Sequence, residues 1–442
     1  MTSRNILKPS PIPSLSVGIG LGDKWGDKIM RKSDIVVIGS GLAGLVAAST
    51  AAGQGKKVTL LAQGAGTLTI AGGIIDILGC LGDGSPANNP IAAIPRLAQE
   101  HPYRKIGVET VEEAINYFLK ICQEEGYPQI GSCNQIQWIP TAAGTLKPTC
   151  IVPRTMDISS LEKTTNRIIV GFKYLKDFYP RLIAQNLAAM PGYGGNYEIV
   201  TITPPFGGRD LSNLDIARWL ETDEGLKEFA VQLSQKVKRG SLLIMPPVLG
   251  TSPDYRILNW LKKNLECYLL ETVTIPPAIT GLRLRSLLIN HVKKLGVKVI
   301  EQAVVTGSVI ENGRCLAVVT ESADRQRSYY AKSFILATGG IYGGGLIANS
   351  DQVIEPIFNL PVKTPLERDN WTNQTLFSNR EQPFAKIGIA VDQRMRPIDE
   401  TGTTILSNVC IAGRTLAGYD YCFEKSGNGV AVSSGYKAAM SV

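Results

Sequence analysis

The sequence predicts an α/β chain built on a doubly wound, Rossmann-like sheet, and three glycine-marked segments predict it. Ile35–Ile38 is a run of β-branched residues that enters Gly39-Ser-Gly41-Leu-Ala-Gly44 and then a small-residue helix. Further on, Ser333-Phe-Ile-Leu-Ala337 ends in Thr338-Gly339-Gly340. Near the end, Asn408-Val-Cys-Ile leads into Ala412-Gly413, with Gly418, Gly427 and Gly429 beyond it. Each signal is weak alone. In this order, strand before turn and turn before helix, they specify far more than any single motif.

In the first segment the physics assigns each glycine a task. Gly39 permits the tight turn, Gly41 lets backbone approach a pyrophosphate, and Gly44 lets helix and strand pack closely. Leu42 and Ala43 then stand in the first turn of a helix whose N-terminus faces the phosphates. Residues 35–53 are apolar enough to imitate a membrane span, but glycines at 39, 41, 44, 53 and 55 and an immediate second strand argue against it. That strand, Lys57-Val-Thr-Leu-Leu-Ala-Gln63, completes a β-α-β unit. The dinucleotide fingerprint places an acid at its end, about twenty residues past the glycines, to hold ribose hydroxyls. Ala62 and Gln63 stand there instead, so Gln63 offers a hydrogen bond without charge assistance.

Bulk properties narrow the rest. A chain of 442 residues with 44% hydrophobic content holds two domains and a large core. The net charge of +8 suits an anionic substrate, an acidic partner or an anionic surface. No basic run resembles a nucleic-acid footprint. Eight cysteines include no pair separated by two residues, so zinc ribbons, iron–sulfur clusters and thioredoxin-like pairs lack their ligand spacing, and no metal site is expected. Free buried thiols in a reducing compartment fit better. Of the two histidines, His101 and His291, the second reads as a helix-surface residue. Residues 1–29 have no apolar h-region, and Met30, directly before Arg31-Lys-Ser-Asp34, is the expected start; the alternative is a disordered arm over 1–32.

Along the chain, Gly72 and Gly73 sit in a small-residue loop that would let a planar ring lie against backbone. Residues 82–95 read as a linker. From 96 to 272 the texture changes to helical periodicity at Val111–Glu125, Ser159–Leu175 and Asp215–Lys238, broken by proline-rich loops. This predicts an inserted α+β cap domain over 96–272. The nucleotide-binding domain is then discontinuous, 33–95 and 273–442. Its second part carries a helix over Leu284–Leu295, a strand at Val297–Ile300, and a hairpin turning at Asn312-Gly313. The last element, after Gly427 and Gly429, is a small-residue helix whose N-terminus would face a flavin pyrimidine carbonyl.

With these pieces assembled, the chain resembles flavoproteins of the fumarate-reductase/succinate-dehydrogenase-like group, with a two-dinucleotide-binding fold. More narrowly it resembles the family of the B-type subunit of anaerobic glycerol-3-phosphate dehydrogenase. The likeness rests on the fingerprint, Ala71–Leu78, Pro140–Thr149, Pro276–Leu284, Leu336–Ala348, Ile354–Ile357, Arg394–Pro397 and Ile411–Asp420. The resemblance implies a three-subunit enzyme that oxidises glycerol 3-phosphate to dihydroxyacetone phosphate. An FAD-containing subunit does the oxidation, and the B-type subunit carries a flavin assigned as FMN. An iron–sulfur subunit ties both to the inner face of the membrane and passes electrons to quinone. The missing ribose acid agrees with FMN, whereas a pyrophosphate-sized glycine turn fits FAD. Lys425 and Asn428 replace smaller residues of the family pattern, and Arg414 is unexpected after Ala-Gly.

If this chain handles substrate, the chemistry is transfer of the carbinol hydrogen to flavin while a base takes the hydroxyl proton. A phosphate substrate needs cationic forks, for which Arg283, Arg285 and Arg154, with Lys147, are the candidates. No residue stands out as the base. That favours a second reading, a flavin electron-transfer or assembly subunit without independent turnover. A stand-alone reductase or dehydrogenase of a dicarboxylate or steroid is the third.

Overall fold

The computed structural model describes residues 32–322, 325–375 and 380–442; the expectation about the start at Met30 lies outside them. In chain order the elements that build the two sheets and their supports are as follows. Strand β1 is Lys32–Ile38, helix α1 Leu42–Gly53 and strand β2 Val58–Ala62. Helix α2 is Val108–Glu124. Strands β3 Arg167–Phe172, β4 Tyr197–Ile202, β5 Leu242–Met245 and β6 Tyr268–Glu271 follow. Helix α3 is Ile279–Lys294, and then come β7 Lys298–Glu301, β8 Val304–Glu311, β9 Arg314–Ser322 and β10 Arg325–Leu336. Strand β11 Val409–Ile411 and helix α4 Gly427–Met440 complete the set.

The first sheet runs β7-β2-β1-β10-β9-β8, with β11 also paired to β10. Its length lets β10 take two neighbours on one side. Tyr330 back to Arg325 pairs antiparallel with β9, while Phe334–Leu336 pairs parallel with β11. The five strands β7, β2, β1, β10 and β11 are therefore mutually parallel, and β8–β9 form the meander. The meander turns where expected, Asn312 and Gly313 both having positive φ (49° and 71°), as a type I′ turn requires. Parallel strands covered by helices on both faces read as continuous apolar runs, and Ile35–Ile38 and Leu60–Ala62 are buried throughout. Helix α1 is buried along Leu42–Ala51, which explains its small, nearly uniform residues: it packs against α4, itself rich in Gly, Ala, Ser and Val.

The second sheet, β6-β5-β3-β4, lies wholly within the segment read as inserted and is also all parallel. Helix Pro180–Ala188 connects β3 to β4, helices Asn213–Glu221 and Asp223–Ser234 connect β4 to β5, and Arg256–Leu265 connects β5 to β6. Two helical expectations change here. Ser159–Leu175 holds only a short 3-10 turn, Ile158–Glu162, and then β3, because Ile168-Ile169-Val170 is β-branched and fully buried between neighbouring strands. Asp215–Lys238 divides in two at Thr222, whose hydroxyl accepts from Gly225 N–H and caps the second helix. Residues 101–124, placed by the sequence in the insertion, pack instead on the first sheet's helices: Tyr117 Oη bonds Ser49 Oγ at 2.8 Å, and α2 contacts α4. Amphipathic period identifies a helix without saying which body it docks on.

Among the described residues no helix is long and apolar enough to cross a membrane. All eight cysteines are free; Cys80 is half-buried, Cys422 exposed and the others buried.

Candidate functional site

A cavity of about 550 Å³ opens at the carboxyl ends of the first sheet's parallel strands. Open parallel sheets bind their ligands at this edge, and the volume is that of a small-molecule or cofactor site. Its lining includes Gly39–Ala43 after β1, Gln63, Gly64 and Gly66 after β2, Ala303 and Val305 beside β7 and in β8, Ala337–Gly340 and Gly343–Gly345 after β10, Gly413-Arg414 after β11, and Gly427-Asn428 of α4.

The glycines here divide into those that shape the turn and those that leave room. Gly39 has φ +107°, and a Cβ there would collide with Ala337 O. Gly41 has ordinary extended backbone, and a Cβ on it would meet no protein atom within 4 Å. Its smallness therefore serves whatever enters the cavity and not the protein's own packing. Gly44 does not line the cavity; a Cβ there would strike Gly39 O, so it is the close-packing glycine the fingerprint requires.

Two helix ends face the cavity without caps. Gly41, the N-cap of α1, has no side chain to offer, and the amides of Leu42 and Ala43 show no hydrogen bond among the described residues. At α4 the N-cap is Ser426, but its hydroxyl turns back to Glu424 Oε2 (2.9 Å), and among the described residues the amides of Gly427 and Asn428 have no partner either. Unpaired first-turn amides at an open cleft are hydrogen-bond donors suited to an anion. Thr338 Oγ1, buried in the same wall, also has no partner. Glycine cradle, bare amides and an orphaned hydroxyl fit a dinucleotide with a diphosphate and a polar ring. The lining spans both the end of β2, where an adenosine would lie, and the start of α4.

Below the α4 terminus the chain is held by a buried polar cluster. Tyr103 N–H donates to His101 Nδ1 (3.1 Å), so the ring presents Nε2–H to Glu424 Oε2 at 3.0 Å. Glu424 Oε1 accepts from Asp420 N–H (3.2 Å), and Asn428 Nδ2 donates to Ile74 O (2.7 Å). Asn428, a departure from the family pattern, thus ties α4 to the loop after β2. Behind the lining residues Pro356 and Ile357, buried Glu355 accepts from the amides of Ile357 and Phe358, both at 2.8 Å, while burial pushes its carboxyl above the usual range.

Other candidates stand elsewhere. Gly72 and Gly73 do not line the cavity: they pack on α3, where a Cβ at Gly73 would strike Thr280 and Thr280 Oγ1 donates to Gly72 O at 2.6 Å. Gly418 fits against Glu100 O, and Gly429 against Asp76 O and Tyr103 Oη. Arg283 is fully buried and holds Glu271 through two bonds of 2.7 and 2.9 Å, so it offers no fork to a substrate. Arg154 lies over the Tyr255 ring, Arg285 donates to Ala65 O (3.2 Å), and Lys147 pairs with Asp76. His291 is buried and bonded to Glu125, not set on a helix surface, because α3 is covered on that side as well. Ala303 and Val305 were not singled out as site residues in the sequence, and Gly343–Gly345, Pro356 and Ile357 entered only through the family likeness, yet all line the cavity from distant segments. Arg414 lines it too, and its oddity in the family pattern was the one signal of it.

A family model described as FAD binding domain matches residues 34–430. The chain is 30% identical over 428 residues to the B-type subunit of anaerobic glycerol-3-phosphate dehydrogenase of Vibrio cholerae serotype O1, covering 93% of this chain and 97% of the relative. It is 30% identical over 423 residues to a probable subunit of the same kind from Halobacterium salinarum, covering 92% and 97%. Among solved structures it is similar to 3-ketosteroid delta1-dehydrogenase of Sterolibacterium denitrificans, with 11% identity, a TM-score of 0.42, and 93% and 99% of the two chains covered.

Proposed function

We propose, for a chain that belongs to the FAD binding domain family and within it to the family of the B-type subunit of anaerobic glycerol-3-phosphate dehydrogenase, that it acts on glycerol 3-phosphate within a multisubunit complex. Family membership makes it a flavin oxidoreductase component. The finer reading is that electrons from glycerol 3-phosphate, oxidised to dihydroxyacetone phosphate, reach a quinone through an iron–sulfur partner. A second FAD-bearing subunit shares the complex, which sits peripherally on the inner membrane face. The observation that carries the flavin reading is the cavity whose lining joins the Gly39–Gly44 turn, the Thr338–Gly345 turns and the α4 terminus.

FAD is the form we favour over FMN, because the lining extends to Gln63, Ala303 and Val305, beyond what a mononucleotide would need. A bound flavin supplies a two-electron acceptor. The chain's own residues supply its placement. The amides of Leu42 and Ala43 would hold the diphosphate, Gln63 a ribose hydroxyl, and Thr338, Gly339, Gly340 and Gly413 the ribityl side. We assign Gly44, Gly72, Gly73, Gly418 and Gly429 to packing of the cradle. The inserted region, with its own sheet, is the cap we assign to substrate and partners.

A specific observation favours a second reading, an electron-transfer or assembly role. Among the described residues the cavity lining holds no carboxylate and no imidazole to accept a hydroxyl proton. Both readings are tested together. The purified chain should be yellow, release FAD on denaturation, and bleach anaerobically with glycerol 3-phosphate. Bleaching only when the FAD and iron–sulfur partners are added selects the second reading. A colourless chain that takes up neither FAD nor FMN overturns both.

A further inference from the structure

Among the described residues, every one lining the cavity is uncharged except Arg414. Its backbone is fixed in the 3-10 turn Gly413–Thr415: Gly413 has φ +73° and donates to Ser434 Oγ at 2.8 Å, and Thr415 Oγ1 donates to Gly339 O at 3.1 Å. The guanidinium lies over the Tyr421 ring, 3.9 Å from its centroid. A Cβ built on Gly427 would come within 3.7 Å of its Nη2, which places the charge beside the bare N-terminus of α4. Among the described residues the guanidinium makes no ion pair or hydrogen bond. A half-buried arginine that stacks on a ring yet keeps all its N–H donors free is poised for an anion. The α1 terminus, whose Ala43 Cβ lies 2.9 Å from a Cβ built on Gly413, is served by its own amides.

We propose that Arg414, together with the Gly427 and Asn428 amides, stabilises negative charge that the bound flavin gains on reduction, and so raises its reduction potential. This rests on the flavin reading above. The cause is electrostatic. Fixed positive charge at one end of an otherwise neutral, part-enclosed cavity favours whichever redox form carries more negative charge there. The diphosphate is equally charged in both forms, so an arginine that held it would tighten both alike. Arg414 is a positioning residue for charge, and it takes no proton in the scheme. Reduction delivers two electrons and one proton to the oxidised flavin, from dithionite in the test that follows, and leaves one net negative charge on the ring.

The test measures FAD affinity and midpoint potential for the full chain, Arg414→Gln and Arg414→Lys, by fluorescence titration and dye-equilibrated reduction. Arg414→Gln is expected to bind oxidised FAD within about twofold of the parent and reduced FAD about tenfold less tightly. For a two-electron couple that is a fall of about 30 mV. Arg414→Lys is expected to recover most of it. Equal weakening of both redox forms, with the potential unchanged, overturns the proposal and assigns Arg414 to the diphosphate. Normal FAD content with an unchanged potential and unchanged affinities overturns it outright. Should Arg414→Gln fail to fold, a parent chain whose bound flavin sits at or below the potential of free FAD overturns it alone. A parent that binds no flavin removes the underlying reading, and is told apart by its missing visible spectrum.

Discussion

Both sheets contain parallel strands that alternate with helices, yet the carboxyl edges of those strands are finished in opposite ways. At the edge of the second sheet, Glu271 ends β6, and its carboxylate takes Leu249 N–H (2.8 Å) and both ends of the Arg283 fork. Arg283 Nε then donates to Gly250 O at 2.8 Å, in the loop after β5. Both charges are paired and neither is exposed. At the edge of the first sheet, glycines keep side chains away, and among the described residues amides and a hydroxyl are left without partners around a cavity. A shared parallel strand-and-helix pattern therefore does not make a site. What makes one is polar backbone left unsatisfied where a ligand can satisfy it.

The comparison breaks most sharply at Arg283. Arg283→Leu removes the cation paired with buried Glu271, and a loss of about 3–5 kcal/mol in denaturant unfolding is expected. A loss under about 1 kcal/mol would show that the second edge is not sealed by this pair. Next come the two glycines of the first edge. Gly39→Ala forces a Cβ onto Ala337 O at φ +107°, so it should destabilise by about 1–3 kcal/mol and empty the flavin site. Gly41→Val should leave stability within about 0.5 kcal/mol, while flavin affinity drops at least about tenfold, about 1.4 kcal/mol. Equal damage to folding from both would erase the distinction between turn and cradle.

A smaller effect is expected at Gln63. Charge-assisted hydrogen bonds are roughly twice as strong as neutral ones. Gln63→Glu should therefore tighten FAD several-fold while leaving FMN unchanged, as read by fluorescence quenching. The smallest lies in the second region, where Ser212 and Asp215 form a capping box at helix Asn213–Glu221. The hydrogen bond from Arg209, followed by those from Ser212, lowers the Asp215 carboxyl to about 2. A depressed folded value means its contribution is present above the unfolded value of about 3.9 and is lost as pH falls through about 2. Asp215→Asn should cost about 1 kcal/mol at neutral pH, with the difference shrinking as urea unfolding is repeated toward pH 2.

The first β-α-β unit and the meander are legible because their signals are local. A β-branched run, a glycine needing positive φ and an Asn-Gly turn are dictated by neighbouring atoms. The same locality is why Ser159–Leu175 misleads: helical spacing of apolar residues there coexists with a buried strand, and the partners β4 and β5 that decide between them are tens of residues away. Arg283 and Arg285 show the limit for side chains. Two arginines two residues apart on one helix reach a buried carboxylate and a loop carbonyl, and no spacing rule tells them apart from ligands.

The sequence by itself determined that this chain folds on a glycine-turned parallel sheet with flavin-binding character, since strand, turn and helix propensities act within a few residues. Only the tertiary structure decided which glycines face a ligand and which face protein, because that depends on what the rest of the chain brings to within van der Waals distance. It also decided that one arginine is locked to Glu271 while another, Arg414, keeps its donors free at the cavity. Long-range packing alone determines which charges meet their partners inside the protein and which are left for something else.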